Sequence, residues 1–311
     1  MAKRLLVALA STPAALIGCH SSDGEGPDGR PMDPPVSVTE VSSGGFQSPT
    51  DAVASPDGRT FYFAAWDLER QPALFQVSSA PGSAATVLAT GAPLDAPLGL
   101  VLSCDGATLF IADMGGETGG ILQAPASGGA ASALAVTGLV RPGSLAIGAD
   151  CASLFATGKL DDEARTPAVF EVPLAGGAAR VVHQGAPLVS PTGIHVDGDG
   201  VAWVMDHHAQ GADGAGVLFA IGPDGEVREI ASKLRMGTPG GVTLTAGGGF
   251  AVIPTRDDND ATQLTSVDVA TGAVTQLSTP SISAPAGLHS ARSAGVIAVV
   301  DPEASKIFRA Q

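Results

Sequence analysis

From residue 36 onward the chain alternates short apolar runs with clusters of Gly, Pro, Asp and Ser. The runs are too short for helices and rich in Val, Leu, Ile and Phe, so they predict strands. One set comprises FYFAAW (61–66), LFIA (109–112), LFAT (154–157), VAWVM (201–205), FAVIP (250–254) and VIAVV (296–300). A second set follows as ALFQVS (73–78), GILQAP (120–125), AVFEVP (168–173), GVLFAI (216–221), LTSVDV (264–269) and KIFRA (306–310). A third reads ATVLAT (85–90), SALAVT (132–137), ARVVHQ (179–184), EVREIA (226–231) and AVTQLS (273–278). Turn signals such as PDG, GG and TG separate them, as hairpins require.

A proline-led strand such as GIHVD (193–197) precedes each of these groups. The markers are SPTDAV (48–53), APLGLV (96–101), RPGSLA (141–146), SPTGIH (190–195), TPGGVT (238–243) and APAGLH (284–289), with prolines spaced by 48, 45, 49, 48 and 46 residues. Four strands repeating with a period in the forties predict the blade of a β-propeller. The sixth unit ends at Gln311 after three strands, and VSVTEVS (36–42) stands ready to supply the fourth. The expectation is an all-β, six-bladed propeller over residues 36–311, its last blade closed by the N-terminal strand, which removes an open sheet edge. The near-constant spacing argues against a pair of β-sandwiches.

The first residues carry other information. Lys3 and Arg4 precede an apolar stretch that ends in Leu16-Ile17-Gly18-Cys19. A basic start, a short apolar core and a small residue before the cut describe a signal peptide over residues 1–18. The Leu-x-Gly-Cys ending resembles the bacterial lipobox, which implies cleavage before Cys19 and lipid attachment to its sulfur. Residues 19–35, polar and rich in Gly and Pro, read as a flexible tether. These features predict an extracytoplasmic protein of the bacterial cell envelope, touching membrane through its lipid anchor only. Cys104 and Cys151 then remain as an even pair in an oxidising compartment, both in the first hairpin turn of neighbouring blades, and a Cys104–Cys151 disulfide is expected. The formal charge of −15 disfavours nucleic acid as a partner.

The segments PTGIHVDGDGVAWVMD (191–206) and PLGLVLSCDGATLFIAD (97–113) resemble blades of one six-bladed superfamily. It contains the senescence marker protein/gluconolactonase family, the NHL-repeat proteins and the YWTD domains of lipoprotein receptors. The resemblance spans roughly residues 36–311. For the lactonase members it implies a divalent cation at the channel mouth, held by a Glu of the first inner strand and by Asn or Asp from others, often directly after the marker proline. Here those positions hold Thr50, Leu98, Gly143, Thr192, Gly240 and Ala286. One residue further on, Asp51 is the sole acid among Gly99, Ser144, Gly193, Gly241 and Gly287. A hard cation needs several converging oxygens.

Candidate chemistry therefore shifts to the loops. Asp67, Asp113, Asp206 and Asp301 recur at the ends of second strands. Such an Asp either ties down its loop through backbone N–H groups or contributes to a cation funnel. On the same face, blades three to five carry GKLDDEARTP (158–167), DHHAQGADGAG (206–216) and TRDDNDATQ (255–263). Function concentrates on elaborated loops above a rigid scaffold. The candidate binding residues are Asp161, Asp206, His207, His208, Arg256 and Asp257, with Asp162, Glu163 and Asp213 beside them. Asp206, His207, Asp258 and Asp260 are the candidate metal ligands, their oxygens favouring calcium. The His pair fits a transition metal or a proton-transfer base instead. His195 and His289, at equivalent inner-strand positions, read as packing near the channel. No catalytic residue is assigned, because no nucleophile elbow, phosphate loop or cysteine metal knuckle is present. The leading expectation is a monomeric recognition module whose ligand is a small molecule, a polysaccharide or an envelope protein. The alternative is a metal-dependent hydrolase of lactones or esters.

Overall fold

The computed structural model describes residue 34 and residues 37–210, 215–238, 240–279 and 281–311. The signal peptide, Cys19, Asp213 and the marker Pro239 lie outside the described residues. The predicted strands pair as antiparallel four-stranded sheets, because each apolar run meets the next through a tight turn. Blade 1 runs Gln47–Ala54, Thr60–Trp66, Pro72–Ser78 and Thr86–Thr90. Blade 2 runs Pro97–Leu102, Thr108–Asp113, Gly120–Pro125 and Ser132–Leu134. Blade 3 is Leu145–Ile147, Ser153–Leu160, Pro167–Pro173 and Arg180–Gln184, with Leu139–Val140 added to its second strand. Blade 4 is Pro191–Val196, Ala202–Asp206, Ala215–Ile221 and Val227–Arg235. Blade 5 is Thr243–Leu244, Phe250–Arg256, Thr262–Asp268 and Val274–Gln276.

Blade 6 consists of Leu288–Ser290, Ile297–Asp301 and Lys306–Ala310, and the N-terminal strand Val38–Ser43 pairs antiparallel with the last of these. The ring is thus a six-bladed propeller closed by both ends of the described chain. Inner strands touch their neighbours all the way round, blade 6 meeting blade 1. Phe46, Phe63 and Phe75 fill the closing seam, with Phe63 and Phe75 stacked at 5.0 Å and Phe46 edge-on to Phe63 at 4.7 Å. Aromatic contacts of this kind add about 0.5–1.5 kcal/mol each beyond the area they bury.

Two departures from the sequence expectation bear on the surface. The predicted strand 132–137 breaks at Ala135, and Val136–Thr137 leaves blade 2 to pair in parallel with Gly177–Ala178 of blade 3. The long segments of blades 3 and 5 are largely strand, which extends to Leu160 and Arg256 before turning. Only a tight turn remains in each.

Cys104 and Cys151 are joined by a disulfide with Cα atoms 5.8 Å apart. It links the first hairpin turns of blades 2 and 3. The two residues occupy different turn positions: Cys151 sits at φ +59, where Gly58, Gly106 and Gly200 stand in other blades. Only a residue tolerant of the left-handed region fits there comfortably.

Candidate functional site

The recurrent acids divide into two kinds that alternate around the ring. In the even blades, the Asp ending the second strand reaches back to the loop that enters the blade. Asp113 accepts from the N–H groups of Asp95, Ala96 and Gly115. Asp206 accepts from Val189, Ser190 and His208, and Asp301 from Ser283, Ala284 and Ala304. In blades 2 and 4 this Asp lies opposite the marker proline, as Pro97 against Asp113 and Pro191 against Asp206. Burial opposes ionisation of Asp301, but the N–H groups of Ala304, Ser283 and Ala284 outweigh it and hold the carboxyl below its ordinary pKa.

In the odd blades a different Asp opens the hairpin itself. Asp67 accepts from Gln71 N, Asp162 from Thr166 N and Asp257 from Ala261 N, each four residues on. Each of these turns carries a non-glycine residue at positive φ, namely Arg70, Arg165 and Asp260. The propeller therefore repeats as blade pairs. PALFQV (72–77) and PAVFEV (167–172) show the same period in the sequence, as do GAPL at 91–94 and at 185–188. The repeating Asp is structural in both settings.

These ties decide how the candidate residues are placed. Asp206 has no exposed surface. His207 is buried beside it, with Nδ1 at 2.8 Å from Thr192 Oγ1. Among the described residues its Nε2 has no close hydrogen-bond partner. Desolvation pushes the His207 pKa down to about 4, and the Thr238 backbone only partly offsets this. His208 is exposed. Asp161 is exposed and forms an ion pair with Arg165 at 2.6 Å. The N–H and hydroxyl of Thr166 lower the pKa of Asp162.

In blade 5, Asp260 lies 3.0 Å from Arg235, the last residue of blade 4's outer strand, and 3.8 Å from Arg256. Asp258 is fully exposed, 3.8 Å from Arg235, which also donates to the Asp257 carbonyl. Asp206 is thus occupied by backbone donors, while Asp258 and Asp260 face arginines. Among the described residues no three His, Cys, Asp or Glu side chains form a group able to hold a metal. Asp206, Asp258 and Asp260, placed in this way, do not give calcium the converging oxygens it needs.

Among the described residues, the centre of this loop face is nearly closed. Thr50, Asp51, Leu98, Gly143, Ser144, Thr192, Gly240, Gly241 and Gly287, drawn from all six blades, surround a dimple of only 50 Å³. The inner strands converge so tightly that a side chain would clash at the glycines of this ring. A Cβ on Gly193 would lie 2.7 Å from the Gly240 carbonyl oxygen, and one on Gly287 2.5 Å from Asp51 Cα. The one acid in this ring, Asp51, is a cross-blade tie. It is buried and accepts from Ala52 N at 2.9 Å, Leu100 N at 2.8 Å and His289 Nε2 at 3.1 Å.

The channel opens instead at the opposite face, where first hairpin turns cluster. A cleft of 510 Å³ lies between the turns of blades 4, 5 and 6, with His195, Asp197, Asp199, Thr245, Ser290 and Arg292 in its lining. It shares His195, Ser290 and Arg292 with a smaller inner pocket that His289 also lines. His195 and His289, expected to be packing residues, are therefore polar walls of the channel. The signal was present in the sequence as two histidines at one repeat position.

The chain matches no protein-family model and no curated protein. It is similar in fold to solved propellers of low identity. One is from a crystal structure of a nidogen/laminin complex, at 18% identity and a TM-score of 0.59, covering 80% of this chain and 91% of that one. A protein assigned as TolB from Agrobacterium tumefaciens aligns at 15% identity and TM-score 0.57, over 85% and 91% of the two chains. The holo PQQ domain of a pyranose dehydrogenase from Coprinopsis cinerea aligns at 10% identity and TM-score 0.63, over 88% and 95%. Such likeness defines the class as six-bladed β-propellers, a scaffold that hosts many activities.

Proposed function

We propose that this protein is an extracytoplasmic recognition module that holds an envelope protein against the loop face of blades 3, 4 and 5. The observation that carries the reading is the narrow centre: among the described residues, the middle of that face is a dimple of 50 Å³, too small to engulf a substrate. A partner there must be bound across the rim, where Asp161, His208, Arg256, Asp257 and Asp258 stand. The described parts of these loops are tied down, because both oxygens of Asp206 and Oδ1 of Asp257 accept from backbone N–H groups. A rim fixed in this way loses little entropy when a partner docks. The similar chain solved in a nidogen/laminin complex belongs to a protein–protein assembly on the same scaffold. The leader and Cys19 support delivery to the envelope and a lipid anchor there.

The test uses purified full chain against envelope-protein and polysaccharide fractions, with a combined Asp161→Ala, Asp258→Ala and Asp260→Ala variant. Binding to a protein fraction that the variant loses supports the reading. Binding to polysaccharide alone overturns the choice of partner. Turnover of lactones or esters that a chelator abolishes would establish the hydrolase reading instead.

A further inference from the structure

We propose that the open mouth of the channel, on the face opposite the loops, is a second binding site that takes a small neutral polyhydroxylated ligand such as a monosaccharide. The size is right, since a cleft of 510 Å³ falls within the usual range for small-molecule sites. The decisive feature is how hydrogens are distributed among its polar groups. Thr243 Oγ1 donates to Ser290 Oγ at 2.9 Å and accepts from Ser290 N at 3.0 Å. Having spent its one hydrogen, that hydroxyl can only accept from His195 Nδ1, 3.3 Å away. His195 Nδ1 therefore carries the proton, and its Nε2 offers a lone pair to the cleft. Ser290 keeps its own hydroxyl hydrogen free to donate.

At the rim, Asp199 adds a carboxylate with no hydrogen-bond partner among the described residues, while Asp197 is occupied by Asp199 N, Val201 N and Trp203 Nε1. Desolvation, with His289 and Arg292 adding repulsion, pushes His195 down to about 4, so it stays a neutral acceptor. The cleft thus sets acceptors (His195 Nε2, Asp199) beside a donor (Ser290). Charge selects further. An anion would meet Asp197 and Asp199 on a chain of net charge −15, and a cation would meet Arg292. A ligand that both donates and accepts, without net charge, matches Ser290, His195 and Asp199 together. The Cys104–Cys151 bridge steadies two of the turns on this same face.

The experiment titrates full chain with a panel of neutral, acidic and amino monosaccharides by calorimetry and saturation-transfer NMR. His195→Leu and Asp199→Ala remove acceptors at the floor and rim, and Asp258→Ala on the far face is the control. The result expected is saturable binding of a neutral sugar, weakened about tenfold by either cleft variant and unchanged in the control. Asp199 is exposed, so its variant reports even if His195→Leu unfolds. No saturable binding across the panel, preference for an acidic or amino sugar, or binding indifferent to Asp199→Ala would each overturn the proposal. Because the control alters the loop face, failure here leaves the proposed recognition function separately testable.

Discussion

Replacing His207 by Asn should remove an acid sensitivity built into the loop face. His207 is 3% exposed, and its pKa falls from 6.5 to about 4 because burial disfavours the imidazolium, with His208 adding repulsion and Asp206 opposing it. The folded state therefore binds fewer protons than the unfolded chain between these values. The stabilisation is complete above about pH 6.5 and is lost as pH falls towards about 4. At about pH 5 the unfolded histidine is mostly protonated and the folded one mostly neutral. That difference costs about 2 kcal/mol relative to about pH 7.5, and about 3 kcal/mol by about pH 4. Asn keeps a group at the position of Nδ1 for Thr192 but cannot titrate. Urea unfolding of both proteins at the two pH values gives the measurement. The native protein should lose about 2 kcal/mol more than His207→Asn between about pH 7.5 and about pH 5. Equal losses would refute the reasoning, since burial would then not be governing the imidazole.

Gly287→Ala should destabilise by about 3 kcal/mol or more, because the new methyl meets the Asp51 and Thr50 backbones at 2.5 Å. Gly120→Ala, with nothing within 4 Å and no positive φ, should stay within about 0.5 kcal/mol; denaturant midpoints compare the two. Cys104→Ser should cost about 4 kcal/mol, the loop-closure value for a separation of 47 residues, read as a matching loss on reduction of the native protein. Asp206→Asn leaves backbone donors at Val189, Ser190 and His208 undersatisfied and should cost about 2–3 kcal/mol, with faster hydrogen exchange at residues 189–190.

Much of the architecture could be read from the chain because apolar runs and turn residues repeat locally. The proline markers located the blades, and the missing last strand pointed to Val38–Ser43. The pairing of blades was harder to see. Asp113 and Asp67 look alike in sequence, yet one clamps an incoming loop and the other closes its own turn, a difference set by hydrogen-bond partners. The break at Ala135 was hidden for a similar reason, since SALAVT is a good strand pattern whichever blade it joins. The candidate site was less legible still. Counting acids on blades 3 to 5 could not reveal that Asp206 is saturated by N–H groups or that Asp258 and Asp260 face Arg235. Nor could spacing show which end of the channel is open. That depends on how closely the strands approach at Gly193, Gly241 and Gly287.

The central claim, that recognition takes place on the rim of the loop face, is tested most directly by site-specific photocrosslinking in the native envelope. A photoreactive residue at Asp161, His208 or Asp258 should give a discrete adduct with one envelope protein, and one at Asp224, in a hairpin turn of the opposite face, should give none. Adducts from Asp224 alone, or none from any loop position, would contradict the account.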